Sequence, residues 1–283
     1  MPWADAGVNL LDPRLADNLV FERASSANVT HMLMISSTID ETKASLSFIQ
    51  RHQQYFTSRE GDSDHAPMFI SCTAGVHPHY ANETNSNTWS QLKSLLVDSN
   101  IVAIGECGLD FNRNFSSPKN QMYAFEKQLA SACEYNKGIY LHERDAFEEQ
   151  VKLLAKYASD LPFMVAHCFT GNAEQLNAYI SLGCYIGITG WLCDEKRGAD
   201  LRAAVKHLPL NRLLLETDSP YLFPKTLRPR RSVNEPCNVP YIGQALANIL
   251  ELDSELVQQY SFKNTQQLFF DKAKNDEKGG NAN

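Results

Sequence analysis

The stretch "IVAIGECGLDF" (residues 101–111) begins as a buried strand and then breaks its own pattern. Ile101, Val102, Ala103 and Ile104 form the continuous apolar run expected of a strand covered on both faces. Glu106 and Asp110 follow where valine or leucine would continue it. A buried carboxylate without a partner costs so much that it is neutralised or finds a counter-charge. Two partners for Glu106 are open at this point: a metal ion, or an ion pair with Arg113 or Arg144.

Seven more apolar runs recur along the chain. They are "DAGVNL" (5–10), "HMLMISS" (31–37), "MFISCTAGVH" (68–77), "GIYLHERD" (138–145), "FMVAHCFTG" (163–171), "CYIGITGW" (184–191) and "RLLLETDSP" (212–220). Their spacing is roughly the 30 residues of a βα unit, with longer gaps where loops intrude. Helical segments fill the gaps. Thr38 with Glu41 makes a capping box, and Asn172 with Gln175 makes another ahead of a stop at Gly183. Ser117 caps a helix that has Pro118 at its first position and an apolar face of Met122, Phe125, Leu129 and Ala132. Eight strand–helix repeats predict an α/β fold, a single-domain (β/α)8 TIM barrel over residues 1–271. An open doubly wound sheet is the alternative, but no glycine-rich phosphate loop follows the first strand. The polar segment 51–67 reads as a helix end and surface loop, and 272–283 as a disordered polar tail.

The 283 residues carry a net charge of −7, which argues against coating nucleic acid by bulk charge. An enzyme that grips phosphates with a few cations and a metal remains compatible with it. The run "KTLRPRR" (225–231) is the local exception, either a solvated basic loop or a backbone-tracking patch. No basic, apolar leader opens the chain, and no apolar run approaches the ~18 residues of a membrane span. Seven cysteines, without a CxxC pair, fit reduced thiols in a cytoplasmic protein. The expected assembly is a monomer.

In such barrels the active site lies at the C-terminal ends of the strands. Those ends carry Asn9, Ser37, His77, Glu106 with Asp110, His142, His167, Thr189 and Asp218. Singly, each is a hydrogen-bonded core residue or a turn former. Several histidines and carboxylates converging on one mouth are what a divalent metal needs, which favours a metal as the partner of Glu106.

The motifs "AGVHPH" (74–79), "VAIGECGLDF" (102–111), "AHCFTG" (166–171) and "LLLETDSPYL" (213–222) resemble the TatD family of metal-dependent deoxyribonucleases, in the amidohydrolase-like barrel superfamily. "FNRNFS" (111–116) and "YIGITGWLCDEKRG" (185–198) resemble its bacterial TatD branch. The likeness runs from about residue 5 to about residue 270 in one register. It implies metal ligands at Glu106, His142, His167 and Asp218, with His77 and Asp218 in catalysis. His79, Arg113, Arg228 and Arg231 are candidate phosphate contacts. "NEP" (234–236) matches a further family motif, with Ser232 and Val233 separating it from Arg231.

One departure matters. Most of the wider family opens with Asp-x-His-x-His, whereas this chain has Gly7 and Asn9 at the two histidine positions. The remaining two-histidine, two-carboxylate set suits Mg²⁺, with Mn²⁺ or Zn²⁺ as alternatives. The resemblance implies a 3′→5′ exonuclease on single-stranded DNA and RNA, acting in DNA repair or degradation. Phe111, Trp191 and Tyr221 at the rim offer rings for base stacking. A small-molecule hydrolase of the same superfamily is the alternative activity, and a non-catalytic binding barrel a third. The missing histidine pair weighs against the hydrolase, and the intact ligand set against the scaffold.

Overall fold

The computed structural model describes residues 1–17, 19–56 and 67–271. The anticipated loop (57–66) and the tail (272–283) lie outside them. Eight strands pair in parallel and in chain order: β1 (Trp3–Val8), β2 (Val29–Met34), β3 (Phe69–Ala74), β4 (Ile101–Asp110), β5 (Gly138–Arg144), β6 (Met164–Ala166), β7 (Tyr185–Ile188) and β8 (Leu213–Leu215). A bridge between Val8 and Ser219, with the Asp218 N–H donating to the Gly7 carbonyl at 2.9 Å, brings β8 back to β1. Among the described residues the barrel is thus nearly closed.

The helices include α1 (Leu19–Ser26), α2 (Ile39–Phe56), α3 (Ser86–Leu95), α4 (Pro118–Glu134), α5 (Phe147–Leu154), α6 (Ala173–Ser181), α7 (Ala199–Ala204), α8 (Val239–Leu250) and α9 (Ser254–Phe269). The anticipated starts are in place. Thr38 Oγ1 accepts from the Glu41 N–H while Glu41 Oε2 accepts from the Ser37 N–H at 2.7 Å. Asn172 and Gln175 form the reciprocal pair that opens α6, and Ser117 caps α4.

Two apolar layers follow from strand alternation. The outer layer, between barrel and helices, includes Met32, Met34, Ile104, Cys107 and Leu109. The inner one fills the barrel with Ala6, Leu33, Ile35, Ala103, Tyr140, Val165 and Leu214, and Phe269 of α9 plugs its floor.

β4 leaves this alternation at a decisive point. Ala103 faces inward and Ile104 outward, so strict period 2 would send Glu106 into the helix layer. Instead the register with β5 shifts between Ile104 and Cys107. The extra residue places Cys107 and Leu109 outward and turns Glu106 and Asp110 to the mouth. Gly105 makes the shift with φ at +151°, where a Cβ would lie 2.8 Å from Tyr140 Cβ.

Candidate active site

Glu106 Oε1 is the hub of the mouth. It lies 2.9 Å from His142 Nδ1, 3.5 Å from His77 Nε2 and 3.9 Å from His167 Nε2. His167 Nε2 lies 3.8 Å from Asp218 Oδ1. Neither Arg113 nor Arg144 is among the described partners of Glu106, so the structural ion pair gives way to a ring of imidazoles. Donor atoms about 2.0–2.2 Å from one ion stand no more than about 4.4 Å apart, so these spacings fit a shared cation. The described residues hold two groups with metal-ligand spacing: His77, Glu106 and His142, and His167, Cys168 and Asp218. The His167–Glu106 approach joins them. Cys168 is a poor thiolate: burial and then the Asp218 charge push its thiol well above its usual value.

Local sequence explains each placement. His77 precedes Pro78 and caps a 3-10 turn, its Nδ1 accepting the His79 N–H at 3.1 Å. Burial opposes charge on His77 and lowers its pKa to about 4. A neutral ring that accepts at Nδ1 carries its proton on Nε2, the nitrogen that faces Glu106. That favours donation to a phosphate over metal ligation. His142 sits two residues after Tyr140 on the same face of β5.

The mouth is crowded with acids. Asp110, almost fully buried, lies 3.2 Å from His142 Nε2 and 2.9 Å from His79 Nε2, and accepts two backbone N–H groups at Oδ1. Burial disfavours charge on His142, but Asp110 and Glu106 outweigh it and raise its pKa to about 9. Burial is likewise overcome at His167 by Glu216, Glu106 and Asp218, which raise it to about 10. Asp218 is pushed up to about 7 by burial, partly opposed by His167 and reinforced by Glu106 and Glu216. The carboxylates of the mouth thus favour positive charge at both His142 and His167.

The β1 side is built differently. Glu216, fully buried, accepts the Cys168 N–H at 2.9 Å and lies 2.8 Å from His167 Nδ1. The Tyr140 hydroxyl lies 2.8 Å from both Glu216 Oε1 and His167 Nδ1, and 2.9 Å from the Ala6 carbonyl. This network occupies the space beside Gly7. A Cβ there would be 3.0 Å from Ile35 Cδ1 and 3.5 Å from Glu216 Cδ, and closest of all to the Tyr140 hydroxyl. A side chain at position 7 would have to displace the Tyr140 hydroxyl. Asn9 Nδ2 instead donates to Asp218 Oδ1 at 3.3 Å and to the Ser219 carbonyl at 3.0 Å.

The structure therefore unites His77, Glu106, His142, His167 and Asp218, with His79 one carboxylate away. Arg113 meets the site through its backbone N–H, which donates to Asp110. Arg228 donates to the carbonyls of Lys225 and Leu227, and Arg231 lies 3.8 Å from Glu235. Both line a cavity of about 460 Å³ with Arg23 rather than contacting the metal-spaced groups. Ser37 and Thr189 serve backbone caps. Phe111 and Trp191 pack against the outer core, while Tyr221 is exposed beneath the Arg14 guanidinium.

Sequence reasoning passed over Tyr140 and Glu216. A signal existed for each: Tyr140 shares a strand face with His142, and Glu216 stands two residues before Asp218 at a strand end.

A sequence model described as TatD related DNase matches residues 4–270. The chain is 42% identical over 269 residues to a 3′-5′ ssDNA/RNA exonuclease TatD from Edwardsiella piscicida, covering 94% of this chain and 98% of that protein. The counterpart of the same name from Yersinia pseudotuberculosis is 40% identical with the same coverage. Among solved structures, a TatD family hydrolase from Entamoeba histolytica superposes with a TM-score of 0.83 at 23% identity, covering 95% of this chain and 98% of that one. A TatD homologue from Escherichia coli gives 0.81 at 23% identity, covering 94% and 97%. At that identity these two structures speak for the fold.

Proposed function

The chain belongs to the family of TatD-related DNases, and on that footing we propose that it is a metal-dependent 3′→5′ exonuclease that hydrolyses phosphodiester bonds at the ends of single-stranded DNA and RNA. The observation that carries the reading is Glu106 Oε1 within 3.9 Å of three imidazole nitrogens, one of them 3.8 Å from Asp218.

Glu106, His142, His167 and Asp218 would hold one divalent ion, Mg²⁺ by preference, with Mn²⁺ or Zn²⁺ as alternatives. When bound, such an ion acidifies a water and stabilises charge developing on the phosphate. The filled space at Gly7 supports one well-held ion rather than two. Asp218, 3.8 Å from His167 Nε2, orients the attacking water and takes its proton on the carboxylate. His77 donates a hydrogen bond from Nε2 to a phosphate oxygen and so stabilises the charge that develops there. Asp110 holds His142 and His79 in place. His79, Arg113, Arg228 and Arg231 are the proposed phosphate contacts.

We propose that the chain acts as a monomer. All seven cysteines are free, which supports a reducing, cytoplasmic setting. No helix among the described residues is long and apolar enough to cross a membrane. We place the activity in DNA repair or fragment degradation.

The test is a matrix of Mg²⁺, Mn²⁺, Zn²⁺ and chelator against 5′-labelled single and double strands. Mononucleotide release from single-stranded 3′ ends, lost with chelator, is the expected result. Equal cleavage in chelator, or release from 5′ ends only, would refute it.

A further inference from the structure

One large apolar side chain at the mouth lies in water. Phe115 is 65% exposed, and its ring stands edge-on to His79 at 4.8 Å between centroids. His79 in turn lies 4.2 Å from the His77 ring. Phe115 is thus one imidazole removed from the proposed phosphate donor. The other exposed large apolar residues described here make no recorded ring contact with the histidines of the mouth.

The loop that carries Phe115 is braced on both sides. Before it, the Arg113 N–H donates to Asp110 at 2.8 Å, Asn112 Nδ2 donates to Asp145 at 2.5 Å, and Asn114 Nδ2 donates to the Phe111 carbonyl at 2.6 Å. After it, the Ser116 hydroxyl donates to the His79 carbonyl at 2.8 Å and accepts the Asn82 N–H at 2.9 Å. Gln121 Nε2 donates to the Ser116 carbonyl at 2.8 Å. The backbone on either side of the ring is thus fixed, and the ring itself rests edge-on against His79. An aromatic held in place before binding loses little freedom when a partner arrives.

Charge limits what the partner can gain elsewhere. The chain carries −7, and its mouth gathers Glu106, Asp110, Glu216 and Asp218. Bulk charge therefore gives a phosphodiester chain little attraction beyond the few cations and the ion of the site, and uncharged contacts add to what those supply. Stacking on a base face is such a contact, and it tolerates every base.

We propose that Phe115 is the platform on which the unpaired base of the 3′-terminal nucleotide stacks while its phosphate lies at His77. This rests on the exonuclease reading and adds a determinant of single-strand preference: a paired terminal base has no free face to offer the ring. Exposed Arg113 on the same loop is positioned to meet the backbone beside it.

The test compares single strands ending in a normal nucleotide or in an abasic tetrahydrofuran nucleotide, with wild type, Phe115→Ala and Phe115→Trp. Removing the base lowers wild-type kcat/KM about 10-fold, mostly through KM. Phe115→Ala loses the same factor on the normal end and nothing further on the abasic end, and Phe115→Trp restores it. In EDTA, a 3′-terminal 2-aminopurine is quenched on binding to wild type and to Phe115→Trp, and not to Phe115→Ala. Wild-type KM in Phe115→Ala, equal losses on both ends, or undiminished quenching would each overturn the platform and leave the exonuclease standing. Absence of nucleotide release by wild type would overturn the exonuclease, and the quenching measurement would still decide the platform.

Discussion

At the floor of the barrel His31 is stacked 4.6 Å from Phe69, with the rings of Phe262 and Phe270 edge-on at 5.0 and 4.7 Å. At the mouth His142 bridges Glu106 and Asp110, and His167 lies between Glu216 and Asp218. All three rings are largely shielded from water, yet burial prevails only at the first. It lowers His31 to about 4, whereas the carboxylates raise His142 and His167 to about 9 and 10. Burial alone therefore says little about a histidine. For these three rings the balance turns on the acids in contact, two or more at His142 and His167 and none at His31; His77, with Glu106 alone at 3.5 Å, is still held near 4 by burial. The floor packs rings around its histidine, and the mouth packs carboxylates around its own.

The largest effect should come from emptying the hub. Glu106→Ala is expected to lower nucleotide release more than about 100-fold and to abolish Mn²⁺ binding in a calorimetric titration, since even changes one layer out cost 10–100-fold. His31→Leu, the matching change at the floor, should leave both intact. Activity lost in His31→Leu and kept in Glu106→Ala would invert the comparison.

Next in size is the layer behind the ligands. Glu216→Gln keeps the shape and removes the charge that orients His167. Metal affinity should fall about 10–100-fold, with the far-ultraviolet circular dichroism unchanged. Unchanged affinity would reduce Glu216 to a packing residue.

Gly7 probes the border between the two layers. Gly7→Ala drives a methyl into the Tyr140 hydroxyl and Ile35, an overpacking worth about 1–3 kcal/mol in urea unfolding. Tyr140→Phe in that background vacates the crowded space and should recover part of the loss. No cost in Gly7→Ala would show that Tyr140 moves freely.

The sequence and these predictions differ in reach. Strand order, the capping residues and the convergence of Glu106, His142, His167 and Asp218 on the mouth are visible because each announces itself locally, as an apolar run or as a polar residue at its end. The half-turn of β4 is not visible. "GEC" (105–107) reads as strand, and only pairing with β5 shows the register slip that turns Glu106 inward. The Tyr140–Glu216–Ala6 network is equally hidden, because its partners lie 76 and 134 residues apart in sequence. Gly7 and Asn9 look like lost ligands in the sequence. In the fold Gly7 is the space that Tyr140 requires, and Asn9 holds Asp218.

The smallest effect tests the opposite signs of the two ends directly. His31 titrates near 4 folded against about 6.5 unfolded, so between those values the unfolded chain binds the extra proton. Its contribution to stability is complete above pH 6.5 and is lost as pH falls toward 4, on the order of 1 kcal/mol after solvent screening. His142 and His167 behave in reverse without metal: the folded chain holds the extra protons, so their contribution is complete below pH 6.5 and is lost as pH rises through about 9 and 10. Urea midpoints of the chelated protein should thus fall at both ends of the pH range. His31→Leu should flatten part of the acid limb and leave the alkaline limb unchanged, the rest of the acid limb belonging to His77, Glu106 and Asp110. Mn²⁺ should flatten only the alkaline limb, because an ion in the mouth takes over the charge that those protons supplied. An alkaline limb indifferent to Mn²⁺ would mean that the raised histidines serve a structural ion-pair cluster and not a metal centre.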